Sequence, residues 1–395
     1  MSTMAKPSKR IFATLFFSIF VTVTGVGIVV PLLPVYAHDL GANGFYIALI
    51  FGAFSISRTI FIPLFGKLSD TKGRKPFIVT GLFAYAALSM IFIFATNVES
   101  LIALRFIQGV ASAMIMPVVQ AYIGDITPVM REGTTMGIFN SSLFVGLSIG
   151  PCLGGLINDY FGLSFAFASM GIFAFVGFML SFLFLPPVRF EKSTVHSTPP
   201  MEYKKLIKDR GLIGMCYFRF AYTTCIGVIW GFLPVFADTQ FSLSSSSIGI
   251  LMVLGVAVSG TLQTPMGMIA DKINRKMMVT AGGLFTGYAL LSFESAEGFS
   301  DLFLSNIYFG IGGGVAMAPL MAMSIRKGND TQSMGSVMSL LTMAHSLGMV
   351  AGALMAGLML DMLLLRQSFF ISGMFMLSGV VVFFFCTFKE PNPEK

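Results

Sequence analysis

Three guanidinium groups and one imidazole lie inside long apolar runs of this chain: Arg58, Arg105, Arg219 and His345. A charged side chain in such a run is costly unless it faces a cavity or a partner, so each arginine is a candidate for binding an anion or shaping a polar path. His345 carries the group whose proton affinity lies nearest physiological pH, which makes it a candidate proton carrier. Asp39, beside His38, and Asp70 compete with it for that role. The 18 acidic residues all map to the ends of the apolar runs or the segments joining them. No nucleophile and base, no carboxylate pair and no metal-ligand spacing occurs at depth, so the chain is not expected to be an enzyme or to carry a cofactor. Cys152, Cys216, Cys225 and Cys386 have no paired spacing and read as small buried hydrophobes.

The elements that must hold these groups follow from composition. Hydrophobic residues make up 55% of the chain and charged residues 11%, with 42 Phe, 42 Gly and 28 Met in 395 residues, which excludes a soluble globule. The charges fall in short islands, and the stretches between them are long enough to cross a bilayer as helices. Twelve are expected, near 11–37, 45–66, 76–97, 101–123, 134–157, 163–186, 211–237, 246–270, 277–296, 301–324, 334–360 and 367–388. Glycine and proline within them are tolerated by membrane helices. The first run is too long for the apolar part of a signal peptide and reads as a retained helix.

Orientation follows from Lys and Arg. With the N-terminus inside, 21 of the 25 fall in cytoplasmic segments, Arg366 alone falls outside, and Arg58, Arg105 and Arg219 stay within helices. Both termini are therefore expected in the cytoplasm, and the net charge of +7 serves topology. Basic residues scattered along a membrane surface do not suggest nucleic-acid binding.

Residues 187–210 form the one long polar stretch and divide the chain into a bundle over 1–186, a cytoplasmic linker, and a bundle over 211–395. Either a solvated tether or a short amphipathic helix with Lys204, Lys205 and Lys208 on anionic lipid would fit its second part. The two bundles repeat one another. Gly66-Lys67-Leu68-Ser69-Asp70-Thr71-Lys72-Gly73-Arg74-Lys75 returns as Gly267-Met268-Ile269-Ala270-Asp271-Lys272-Ile273-Asn274-Arg275-Lys276, with Asn274 in place of the second glycine. Leu33 to Ala37 matches Leu233 to Ala237, Met116-Pro117 matches Ala318-Pro319, and Met136-Gly137 is paired with Met334-Gly335. An offset near 200 that recurs along the chain marks an internal duplication.

Two further patterns lie in the first half: Arg105-Phe106-Ile107-Gln108-Gly109, and a glycine stripe with proline at Gly146, Gly150, Pro151, Gly154 and Gly155. With these and the signature, the chain resembles the major facilitator superfamily, and within it the twelve-helix drug/proton antiporter branch. Asp125, Arg131 and Met136-Gly137 also fit the pattern. The resemblance implies an all-α membrane fold of two pseudo-symmetric six-helix bundles, a monomer in the inner membrane of a bacterial cell, and alternating access driven by a proton gradient. It implies that Asp70 and Arg74 form a latch on helix 11 near Met334, and that Arg105 acts in proton coupling or in shaping the binding site. The second copy keeps Gly267, Asp271, Arg275 and Lys276, and the stronger gate is expected on the helix 2–3 side.

The residues set the expected cargo. Helix 1 offers Thr14, Ser18, Thr22 and Thr24 and no acid, where many drug/proton antiporters carry one, and three arginines without a carboxylate should repel cations. A small amphipathic or anionic organic compound is expected, in a cavity between the halves with Thr24, Gln108, Tyr222, Trp230, Asn306 and Tyr308 as candidate lining groups. Arg58 and Arg219 could equally snorkel toward the inner interface, and His345 could be bonded to Ser346. The stripe at 146, 150 and 154 suits a close interface between the halves or, alternatively, ordinary helix packing. A symporter importing an organic anion is the main alternative. A membrane receptor would not need the signature in both halves.

Overall fold

A computed structural model describes residues 6–387 except 31, 34, 35, 38, 39, 43, 129, 187–202, 244 and 362–364. The described residues form twelve long helices and no strand: α1 (Lys6–Val29), α2 (Gly44–Lys72), α3 (Arg74–Ile91), α4 (Val98–Ile126), α5 (Glu132–Phe161), α6 (Leu163–Phe184), α7 (Arg210–Phe241), α8 (Ser245–Ala270), α9 (Arg275–Glu294), α10 (Phe299–Asp330), α11 (Met334–Asp361) and α12 (Leu365–Thr387). A single helical turn, Tyr203–Leu206, precedes α7. Ten of the twelve are long and apolar enough to cross a membrane; α2, which carries Arg58 and the charges of the signature, and α9 fall outside that measure.

Helix boundaries differ from the hydropathy reading in an informative way. The signature is not a loop for most of its length, because α2 runs through it to Lys72 and α3 resumes at Arg74. The chain reverses on Gly73, whose φ of +90° is open to glycine and strained for other residues. In the second copy Asn274 stands there with φ −61°, and its side chain accepts the N–H groups of Lys276 at 3.0 Å and Met277 at 3.4 Å, capping α9. The first apolar run does not continue as α1 to residue 37; α1 stops at Val29, just before Pro31 and Pro34. Tyr36 then donates its hydroxyl to Ala95 O and sets its ring 5.7 Å from that of Phe167. Its counterpart in α7 continues as helix through Pro234 to Phe241.

Two compact units are present. The first comprises Met1–Pro128, Ser142–Pro200 and Gly328–Met343; the second comprises Val129–Ser141, Met201–Lys327 and Ala344–Lys395. Each unit thus contains the opening turns of a helix whose remainder lies in the other: α11 in the first, α5 in the second. In the first unit α1 packs on α6, α2 on α4, and α3 on both α4 and α6. In the second, α12 packs on α7 and α9, the pairing that the internal repeat requires.

Candidate functional site

In the first unit the side chain of Asp70, two residues from the end of α2, meets the first turn of α11. One carboxylate oxygen accepts Gly335 N–H at 2.7 Å, and the other accepts Ser336 N–H and Ser336 Oγ, both at 3.0 Å. The first turn of a helix carries unpaired N–H groups and a partial positive charge, so a carboxylate is favoured there. Arg74 holds that carboxylate in place: its guanidinium lies 2.8 Å from Asp70 and 2.9 Å from Asp125 at the end of α4, and donates to Ser69 Oγ at 2.6 Å. The Arg74 and Asp70 side chains are buried, at 4% and 8% exposure, and Asp125 is half-buried, so the cluster is one in which the buried charges need each other. Close approach is possible because Gly66 has no side chain. A Cβ there would fall 1.6 Å from Ser339 Oγ and 2.7 Å from Gly335 O.

The second unit builds the same contact from the second copy. Asp271 accepts Gly133 N–H and Thr134 N–H, each at 2.8 Å, and the Thr134 hydroxyl, all in the first turn of α5. Gly267 lies against Gly133, and a Cβ there would fall 2.2 Å from Gly133 O. Arg275 lies 3.3 Å from Asp271 and 2.7 Å from Glu132. The counterpart of Gly335-Ser336 is therefore Gly133-Thr134, one helical turn before the Met136-Gly137 pair that sequence alone aligns with Met334-Gly335. Geometry fixes the register through the backbone donors, whereas a repeated Met-Gly does not. Each copy gives its aspartate three hydrogen bonds, so the bonding does not make the helix 2–3 side the stronger one.

Lys75 and Lys276 serve a different purpose. Their ammonium groups donate to Leu185 O at the end of α6 and Thr387 O at the end of α12. A cation at the C-terminus of a helix is favoured by the dipole, so these lysines tie each signature to the last helix of its half. Deeper polar pairs back the contacts, Gln120 with Thr342 at 3.3 Å in the first unit and Asn140 with Gln263 at 3.2 Å in the second.

The stripe Gly146, Gly150 and Gly154 packs on α1, within the first unit, and not on an interface between the halves. A Cβ on Gly150 would come within 2.6 Å of Thr24 O and 2.7 Å of Gly27 Cα, and one on Gly154 within 2.3 Å of Ile28 O. Pro151 lies beside Gly27, while Gly155 points into open space. The second unit repeats the arrangement with Gly348 and Gly352 of α11 on Thr223, Thr224 and Gly227 of α7.

Of the groups at depth, Arg105 is buried, donates to Gln108 Oε1 at 2.9 Å, and stacks 4.8 Å from the ring of Phe54. Tyr85 of α3 lies within electrostatic range of both Arg105 and Arg58. Arg219 of α7 belongs to the second unit, where its guanidinium contacts Met317 Sδ at 2.7 Å. His345 is half-buried in that unit. Thr24, Tyr222 and Asn306 are buried; Tyr308 turns toward α9, its ring 5.6 Å from that of the exposed Tyr288. Asp39 lies outside the described residues.

The sequence model described as Major Facilitator Superfamily matches residues 15–229 and 219–395, nearly the whole chain. The chain belongs to the Major Facilitator Superfamily. Among its superfamily relatives, an uncharacterized MFS-type transporter of Methanocaldococcus jannaschii is 28% identical over 94% of this chain and 96% of its own length. Multidrug resistance protein 2 of Bacillus subtilis is 28% identical over 94% of each chain. The quinolone resistance protein NorA of Staphylococcus aureus is 35% identical over 43% of this chain and 44% of its own. The crystal structure of the human organic anion transporter MFSD10 superposes with a TM-score of 0.81 at 19% identity, covering 96% of this chain and all of that one, a likeness of fold. As a superfamily member with these relatives, the protein is a transporter of small molecules and a multi-pass protein of the bacterial inner membrane, resembling the drug/proton antiporter branch.

Glu132 is the residue of these contacts that sequence reading missed. It follows Arg131 in a charged island, where it reads as one more surface acid. The repeat held the signal: position 132 corresponds to Met334, so the second arginine must find a carboxylate where the first copy has none.

Proposed function

We propose that the protein is an alternating-access exporter that couples the outward movement of a small amphipathic or anionic organic compound to the inward movement of protons. The observation that carries this reading is the pair of aspartates, Asp70 and Asp271, each seated on the first turn of a helix from the other half of the sequence. The charge pattern assigns that end of the molecule to the cytoplasm. Two such contacts, made of charge-assisted hydrogen bonds between groups that need not stay together, suit a cytoplasmic gate that opens and closes during each cycle. The relatives named for multidrug and quinolone resistance support the outward direction. A protonatable group among Asp39, Asp70 and His345, with Arg58, Arg105, Gln108 and Arg219 shaping the path, would couple the gradient to the cargo.

Cells with and without the protein, exposed to a panel of amphipathic and anionic compounds, test this. Lower accumulation in expressing cells, abolished by a protonophore, is the expected result; equal accumulation across the panel would contradict it. The intramembrane arginines favour one second reading, a symporter importing an organic anion, which would show the opposite sign, higher accumulation in expressing cells.

A further inference from the structure

Arg105 and Arg219 are held very differently. The Arg105 guanidinium is buried, bonded to the Gln108 carbonyl and stacked on Phe54, so its charge is committed to its own helix and the neighbouring α2. Arg219 is half-buried, about 14 Å along α7 from its start. Its guanidinium contacts Met317 Sδ, and among the described residues no carboxylate pairs with it. A thioether is a weak acceptor and carries no charge. A guanidinium at this depth that rests on sulfur keeps most of its capacity for a planar anion.

Its surroundings are largely aromatic and apolar. Tyr222, one turn along α7, stacks flat on Phe309 of α10, with centroids 5.7 Å apart and planes 3° from parallel. α10 comes close because of Gly313: a Cβ there would fall 2.1 Å from Tyr222 Oη and 3.1 Å from Ser259 Oγ of α8. Tyr222 and Ser259 are almost wholly buried, 4% and 3% exposed. Arginine, a rigid aromatic pair and hydroxyls from two helices therefore share one region of the second unit.

We infer that Arg219 is the residue that reads the charge of the cargo, and that the cargo is an aromatic or apolar monoanion whose carboxylate takes the guanidinium from Met317. This rests on the transport reading above and adds to it which arginine meets the substrate and what group it meets. A bidentate carboxylate on a desolvated guanidinium is far stronger than a guanidinium on a thioether, so exchange is favoured when the anion arrives.

Equilibrium binding of radiolabelled 1-naphthoate and of its neutral isostere 1-naphthamide to the purified full-length protein in lipid nanodiscs tests this. The wild type is expected to prefer the carboxylate by at least about tenfold, Arg219→Gln to lose that preference, and Arg219→Lys to keep part of it. The ratio between two probes of one shape is not moved by a general loss of packing, and Arg219→Lys retains the charge should Arg219→Gln fold poorly. No carboxylate preference in the wild type, or a preference unchanged in Arg219→Gln, overturns the inference. Proton-gradient-driven flux of 1-naphthamide equal to that of 1-naphthoate would leave the exporter reading standing while Arg219 loses its role; a carboxylate preference without any gradient-driven flux would do the reverse.

Discussion

Arg275 and Glu132 are joined at 2.7 Å across two helices, α9 and α5, whereas Arg74 finds its second acid, Asp125, on α4 of its own half. The two contacts share one design for the aspartate and differ in where the supporting charge comes from. In the second unit an ion pair itself spans the junction between the signature and the helix it grips. Both partners are almost fully buried, at 8% and 7% exposure, so removing one leaves an uncompensated charge.

Glu132→Gln and Arg275→Gln should each lower the transport rate strongly, because breaking a buried pair costs about 3–5 kcal/mol of contact stability. The double exchange Glu132→Arg with Arg275→Glu should recover part of the rate. Flux measured in proteoliposomes for the three variants checks this, and an exchange no better than the worse single variant would show that the pair does not couple the two helices.

Asp70→Asn and Asp271→Asn keep the size of the side chain but remove its charge and place an N–H₂ opposite backbone donors. Each aspartate accepts three hydrogen bonds from a helix start, and bonds to a charged acceptor contribute about 1.5–3 kcal/mol each. Both variants should lose at least about tenfold in turnover while folding normally, as read by flux and by size-exclusion chromatography. Equal loss at both sites is expected, since both carry the same bonds; a much larger loss at Asp70 would restore the idea that the helix 2–3 side is the stronger gate.

The glycines separate packing from motif membership. Gly150→Ala and Gly154→Ala must push α5 away from α1, while Gly155→Ala meets nothing within 4 Å. The first two should lower thermal stability in detergent and transport together, and Gly155→Ala should leave both near wild type. If Gly155→Ala were as damaging as Gly150→Ala, the stripe on α1 would not be what the pattern exists for.

At the turn, Gly73→Ala forces a side chain onto a φ of +90° and should cost about 1–2 kcal/mol. Asn274→Gly keeps the turn and loses the cap, a change of a few tenths of a kcal/mol, and Asn274→Ala should cost about 1 kcal/mol. Chemical denaturation of the four proteins in one detergent gives the order directly.

Much of this architecture is legible in the sequence. Charge islands separate twelve apolar runs, and the repeated signature gives two halves, because membrane insertion forces polar residues to the ends of helices. What hydropathy marks is where the membrane stops, not where a backbone ladder stops; Lys67 and Lys72 are exposed and charged, yet α2 continues through them. Facing is also hidden. The stripe at Gly146, Gly150 and Gly154 is evident as a pattern, but its partner is chosen by Gly27 on α1, a residue with no signal of its own. Glu132 stayed unread because an acid at a membrane surface needs no explanation until the buried arginine that faces it is seen.

The central claim is outward transport driven by an inward proton movement, and everted membrane vesicles test it most directly. Their lumen corresponds to the cell exterior, so the lumen is made acidic and uptake of radiolabelled 1-naphthoate is followed with and without a protonophore. Passive distribution would drive a weak acid out of an acidic lumen. The account predicts accumulation in the lumen that collapses with the protonophore; protonophore-sensitive depletion of the lumen, or no response to the gradient, would contradict it.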